Sequence, residues 1–213
     1  MWPSPTDFFA LLGINVALCA VAGWLLCRSP LPSLGVRWAL AVLFLVLWLP
    51  VGSAHIPAVA YVRGVTSDLS VTLLVLACIG LARRLRGTTM AATTERLTVF
   101  FVVAVAALFL YPTALGWGSF DVYRLGWGSP VMLMVLLVLC VACWLKRLRL
   151  LPLLLACAVL AWAAGLMESG NLWDYLMDPW LAVTAFVQCF AALITGLMRR
   201  VKPSPVSPLG LKG

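Results

Sequence analysis

The segment from Glu168 to Trp180, ESGNLWDYLMDPW, carries three of the seven acidic residues of the chain. On a helix, one face would carry Glu168, Asn171, Asp174, Tyr175 and Asp178, at spacings of three and four residues. Carboxylates grouped in this way could bind a divalent cation such as Ca²⁺ or Mg²⁺, or a cationic lipid headgroup such as ethanolamine. They could also act as acid and base, because crowding raises the pKa of one carboxyl. The alternative is a solvated face on which Asp178 only caps the following helix.

The other face of this segment is apolar and rich in aromatic residues. It consists of Leu172, Trp173, Leu176, Met177 and Trp180. The pattern predicts a short amphipathic helix lying in the membrane interface, with its apolar side towards the acyl chains.

A second polar segment runs from 111 to 130 and contains the sequence LGWGS twice, at 115–119 and 125–129. Asp121 and Arg124 lie between the two copies. Glycine permits tight turns, and tryptophan suits the headgroup layer, so we predict a structured interfacial loop; the alternative is a simple aromatic anchor. The segment lacks the lysine of a phosphate-binding loop.

A third polar segment contains His55, Arg63 and Asp68. Arg63 and Arg124 either pair with nearby acids or bind an anionic lipid headgroup. Ion pairing is favoured because Asp68 and Asp121 are close to them in sequence. His55 is the only histidine and could be a general base or a ligand, but it has no second histidine beside it. We therefore assign no metal and no cofactor.

The amino-acid composition indicates the class of protein to which these polar residues belong. The chain has 213 residues, 64% hydrophobic and 10% charged, which excludes both a soluble domain and a disordered chain. Long apolar runs predict an all-α integral membrane protein with seven transmembrane helices in one domain, 1–201, followed by a disordered cytoplasmic tail, 202–213. The predicted spans are 8–27, 38–54, 67–82, 97–115, 130–145, 150–167 and 179–198.

The charges predict the orientation. All but two of the 15 basic residues would lie on one side of the membrane, and all but one of the seven acidic residues on the other. Excess Lys and Arg mark the cytoplasmic side, so we expect the N-terminus outside and the C-terminus inside. The net charge of +8 thus reflects topology, and no nucleic-acid partner is predicted.

No catalytic motif such as H-E-x-x-H or G-x-S-x-G is present. We expect a multi-pass accessory protein of a bacterial inner membrane, which presents an acidic, aromatic-rich outer face to an envelope enzyme or a lipid substrate. Its expected partners are membrane lipids and a membrane-bound protein. The alternatives are a membrane enzyme acting on a lipid headgroup through the outer carboxylates, and a transporter of lipids or small solutes.

Overall fold

The structure is a computed structural model that describes residues 4–26, 33–87 and 93–201, and helices hold 78% of these residues. The prediction of an all-α protein is therefore confirmed. The α-helices are α1 (Pro5–Leu26), α2 (Ser33–Val46), α3 (Ala58–Thr66), α4 (Val71–Arg86), α5 (Thr93–Ala114), α6 (Pro130–Leu145), α7 (Leu150–Ala163), α8 (Leu172–Leu176) and α9 (Pro179–Val201). A 3₁₀ helix, Val122–Gly126, precedes α6.

Three helices of the described chain are long and apolar enough to cross a membrane. They are Pro5–Leu26, Thr94–Ala114 and Pro179–Met198. Helices α2, α6 and α7 are apolar but shorter, at 14, 16 and 14 residues. A straight helix needs about 20 apolar residues to span the hydrocarbon core, so length and composition identify three candidate spans.

Helices α4 and α7 lie side by side in the middle of the bundle. On one side α4 packs against α1, which in turn carries α2; on the other side α7 packs against α5, α6 and α8. Helix α9 packs along α5 in the most extensive helix pair. Leu154 and Ala158 of α7 and Leu181 and Ala185 of α9 are fully buried in the main core, while large apolar side chains are exposed along α2, α6 and α9.

The second apolar run folds differently from the prediction of a helix over 38–54. Helix α2 ends at Val46, and the chain then forms a small antiparallel hairpin in which β1 (Pro50–Val51) pairs with β2 (Ile56–Pro57). Pro50 has no N–H to donate to the carbonyl of Val46, and Gly52 adopts a φ of 71° in the hairpin turn. The run remains apolar past residue 46, so hydrophobicity alone could not locate this end.

The start of the third run also differs. The prediction placed the helix start at Ser67 and Asp68, whereas α4 begins at Val71. Ser70 is its N-cap and accepts a hydrogen bond from the Leu73 N–H at 3.2 Å. Ser67 instead ends α3, with a φ of 60° and its N–H bonded to the Arg63 carbonyl.

The other helices follow the predicted runs, except that α7 ends at Ala163 rather than at 167. Gly165, with a φ of 62°, turns the chain after it. The run 130–145 coincides with α6. The predicted tail, 202–213, lies outside the described residues.

The predicted short helix before the last span is present as the five residues of α8. Leu172 and Leu176, from the apolar stripe, are buried in the main core. Tyr175 and Asn171, which were placed on the solvated face, are fully buried as well. The predicted division into a lipid-facing and a solvated face is therefore wrong, because residues from both faces are buried inside the protein.

Candidate functional site

Three connecting segments, 47–70, 115–129 and 164–178, form one hydrogen-bonded structure that we call the loop layer. Arg63 donates to Glu168 at 3.2 Å, the Tyr123 hydroxyl to Asp174 at 3.0 Å, and the Ser70 N–H to Asp178 at 2.7 Å. Each of these bonds joins residues at least 51 positions apart in the sequence. The structure thus brings polar groups from separate loops to one end of the bundle.

Arg63, on α3, joins three carboxylates. Its guanidinium lies 2.5 Å from Asp7 of α1, 2.7 Å from Asp68 and 3.2 Å from Glu168. The hydrogen bond with Asp68 is the main cause of a raised Arg63 pKa, and partial burial opposes it. The side chain therefore remains a cation, and of the two roles considered for it the structure shows ion pairing. This network fastens α3 to α1 and to the loop before α8.

Asp178 holds the starts of two helices. Its Oδ1 accepts from the Leu181 N–H at 2.8 Å, as the N-cap of α9. Its Oδ2 accepts from the Ser70 N–H, at the N-cap of α4. In a capping box a glutamate three residues on would bond this N–H, but Leu73 occupies that position of α4. The buried carboxylate of Asp178 serves instead of that glutamate, and it lies between the positive N-terminal ends of α4 and α9.

Asp174 is bound by two hydroxyl groups. It accepts from Tyr123 at 3.0 Å and from Ser169 in a short hydrogen bond. Burial, followed by the charge of Asp174, raises the pKa of Tyr123 to about 12. The Tyr123 hydroxyl consequently remains a donor at physiological pH, and the acceptor capacity of Asp174 is largely used within the protein.

Asn171 connects α8 to the 3₁₀ helix. Its Nδ2 donates to the Tyr123 carbonyl at 3.0 Å, and its Oδ1 accepts from the Trp173 N–H at 3.0 Å. Gly126 lies directly against this pair: a Cβ there would overlap the Asn171 Oδ1 and lie 2.8 Å from the Trp173 Cδ1. Glycine is required at 126 because the backbone of this residue packs directly against the side chains of Asn171 and Trp173, which leaves no room for a Cβ.

The LGWGS repeat did not reveal the role of Gly126. The equivalent glycine of the first copy, Gly116, adopts a φ of 89°, and no described atom lies within 4 Å of the position that a Cβ would take. The repeat in sequence is therefore not a repeat in structure. No signal in the sequence distinguishes the close approach at Gly126 from the open turn at Gly116.

The remaining candidate residues lie elsewhere in the loop layer. His55 is exposed in the hairpin turn with a φ of 50°. Asp121 caps the 3₁₀ helix by accepting from the Tyr123 N–H at 2.9 Å, and it forms no ion pair with Arg124. Arg124 is exposed and makes no ion pair or side-chain hydrogen bond with any residue that the structure describes. The ion pair expected for Arg124 is thus not formed.

Sequence reasoning missed several residues that build the layer. The buried Tyr175 hydroxyl accepts from the Met167 N–H at 3.0 Å and lies 3.1 Å from the Ser169 carbonyl. Three indole N–H groups also bind loop carbonyls: Trp162 to Gly170, Trp173 to Val122 and Trp180 to Thr66. The sequence analysis placed Trp173 and Trp180 on a lipid-facing stripe and gave Trp162 no role, whereas all three crosslink segments in the folded structure.

Four large apolar side chains of the second loop are largely exposed. Leu115, Trp117, Phe120 and Trp127, which we call the aromatic rim, are each between 61% and 80% exposed. They are close to Arg124 in the sequence, so this surface combines apolar side chains with a cation that forms no ion pair with any described residue. This composition suits contact with another protein or with lipid headgroups.

The polar groups beneath the rim bond mainly to one another. Among the residues described, no buried side-chain nitrogen or oxygen lacks a partner, and no three His, Cys, Asp or Glu residues are grouped to hold a metal ion. The loop layer is thus held together by internal hydrogen bonds, and the aromatic rim forms part of its exposed surface. Comparison of the chain with protein-family models, with curated proteins and with solved structures finds no match.

Proposed function

We propose that this chain is a multi-pass accessory protein of a bacterial inner membrane, whose loop layer docks a membrane-bound envelope enzyme on the outer side. The observation that carries the proposal is the aromatic rim. Leu115, Trp117 and Phe120 are exposed on a layer whose described buried polar side chains are all hydrogen-bonded. An ordered apolar surface of this kind is typical of a protein-binding site.

The proposed topology uses seven helices as spans: α1, α2, α4, α5, α6, α7 and α9. Helices α3 and α8 lie in the loop layer. Basic groups at the opposite end support this arrangement, because Arg37 donates to the Leu85 carbonyl at 2.5 Å and Arg84 to the Ala20 carbonyl at 2.8 Å. The ends of α1 and α4 and the start of α2 thus meet in one basic region, as cytoplasmic helix ends do.

The charge of the loop layer favours a partner with a basic surface. Asp7, Asp68 and Glu168 share the single guanidinium of Arg63, which leaves this cluster with an excess of negative charge. Complementary charge guides association and selects among partners. We therefore propose a basic docking face on the partner, with apolar residues that cover the rim.

Catalysis by the carboxylates and transport of a polar solute have less support in the geometry. Catalysis through carboxylates needs an acid or base open to substrate. Asp178 is buried with both oxygens bonded to backbone N–H groups, and Asp174 is held by two hydroxyls. Transport of a polar solute needs a polar path, whereas the groove between α6 and α7 is apolar.

A photocrosslinking amino acid at position 120 tests the docking proposal in living cells. The full-length Phe120 variant should form a discrete protein adduct, identified by mass spectrometry, and the adduct should decrease when Trp117→Ala is added. Leu145, 77% exposed at the opposite end of the bundle, is the matched control and should not form this adduct. Adducts to lipid alone at position 120, or the same protein adduct at both positions, would refute the proposal.

A further inference from the structure

Helices α6 and α7 leave an apolar groove of about 240 Å³ on the surface of the bundle. Leu133, Leu137 and Cys140 line it from α6, and Leu155 and Ala156 from α7. Leu137 and Ala156 are exposed. The groove is open and apolar, so its occupant must itself be apolar.

The position of the groove along α6 matches that of acyl chains below a headgroup. Helix α6 begins at Pro130, and a helix rises 1.5 Å per residue. The lining residues Leu133 to Cys140 therefore lie roughly 5–15 Å below the start of the helix. In the proposed topology this depth lies within the acyl-chain region of the outer leaflet.

A cation, Arg124, lies six residues before the start of α6. The 3₁₀ helix that carries Arg124 packs against α6, and Arg124 makes no side-chain contact with any described polar group. The other arginine of the loop layer, Arg63, is bound to three carboxylates. Of these two arginines, only Arg124 is therefore available to an external anion.

We propose that the groove binds an anionic phospholipid, with the phosphate at Arg124 and one acyl chain between α6 and α7. The guanidinium supplies the charge complementarity, since it forms charge-assisted hydrogen bonds with phosphate oxygens. Trp127, exposed beside Arg124 in the chain, is a residue type that favours the headgroup layer. This inference rests on the proposed topology but not on the docking partner.

Native mass spectrometry of the full-length protein in mild detergent tests the headgroup contact. The protein is offered equal amounts of phosphatidylglycerol and phosphatidylethanolamine with identical acyl chains. Wild-type protein should retain the anionic lipid preferentially, and Arg124→Gln should reduce the ratio about tenfold, the effect of losing one charged hydrogen-bond donor. Lys146→Gln, which removes an exposed cation at the opposite end, should leave the ratio unchanged.

A second pair of variants tests the groove. Ala156→Phe fills it and should reduce the retention of both lipids, whereas Leu153→Phe, at an exposed position of α7 outside the groove, should not. Equal lipid ratios in wild type and Arg124→Gln, or a lipid-free dimer as the main species, would overturn the proposal. The second result would assign the groove to another copy of the chain. If no protein adduct forms at position 120 but the wild-type protein still retains the anionic lipid preferentially, the docking proposal is refuted and the lipid proposal stands.

Discussion

Asp178→Ala should give a large loss of stability, because one carboxylate holds the starts of α4 and α9. The substitution removes the N-cap bond to Leu181 and leaves the buried Ser70 N–H without its acceptor. Loss of the cap and of the buried bond together should cost about 2–4 kcal/mol. In a chain of this length the melting midpoint should fall by roughly 5–15 °C, measured from tryptophan fluorescence of the detergent-solubilised protein.

Two further variants test whether the loss of stability in Asp178→Ala comes from both hydrogen bonds of Asp178. Asp178→Asn keeps one oxygen for the α9 cap but turns an amide N–H towards Ser70. The stability of this variant should therefore lie between that of the wild type and that of Asp178→Ala. Asp121→Ala removes a capping carboxylate with one backbone bond at a half-buried position and should cost less than Asp178→Ala. Equal losses for Asp121→Ala and Asp178→Ala would contradict the double role of Asp178.

Gly126→Ala should destabilise the protein by separating the 3₁₀ helix from α8. The added Cβ would overlap the Asn171 Oδ1 and lie 2.7 Å from its Cγ, so Asn171 must move and weaken its bonds to Tyr123 and Trp173. Overpacking together with the lost hydrogen bonds should cost about 2–4 kcal/mol. The same melting measurement checks it, and the loop layer should become more accessible to protease.

Gly64→Ala is the matched control for this substitution. Gly64 lies inside α3, and no described atom comes within 4 Å of the position that a Cβ would take, so alanine meets no clash. Alanine has a higher helix propensity than glycine, and the change should stabilise the protein by up to about 1 kcal/mol. The two Gly→Ala changes should thus have opposite signs; a stabilising Gly126→Ala would show that the contact with Asn171 is not tight.

Local signals in the sequence predicted most of the helices. The run 130–145 coincides with α6, because a serine and a proline mark its start and the apolar residues end at a basic pair. The end of α2 was not predicted, because the residues after Val46 are as apolar as those before it. The nine-residue α3 was also missed, since the segment after His55 gave no signal stronger than that of a loop.

The candidate site was predictable only where its contacts are local. Arg63 and Asp68 lie five residues apart, and the capping of α9 by Asp178 follows from the Asp-Pro pair at its start. The bonds from Arg63 to Glu168 and from Ser70 to Asp178 span 105 and 108 residues. Nothing in the sequence indicates such pairings. The amphipathic pattern before α9 placed Tyr175 on a solvated face, whereas Tyr175 is buried. The pattern reports only local spacing and not the tertiary contacts that bury this side chain.

Docking and lipid binding both depend on which side of the membrane the loop layer occupies. The direct measurement is labelling of Trp117→Cys and Lys146→Cys by a membrane-impermeant maleimide on intact spheroplasts, with the unsubstituted protein as background. Both positions are exposed, at opposite ends of the bundle. The proposed topology predicts labelling at position 117 without permeabilisation, and at 146 only after it. The reverse pattern would place the aromatic rim in the cytoplasm and contradict docking of an envelope enzyme.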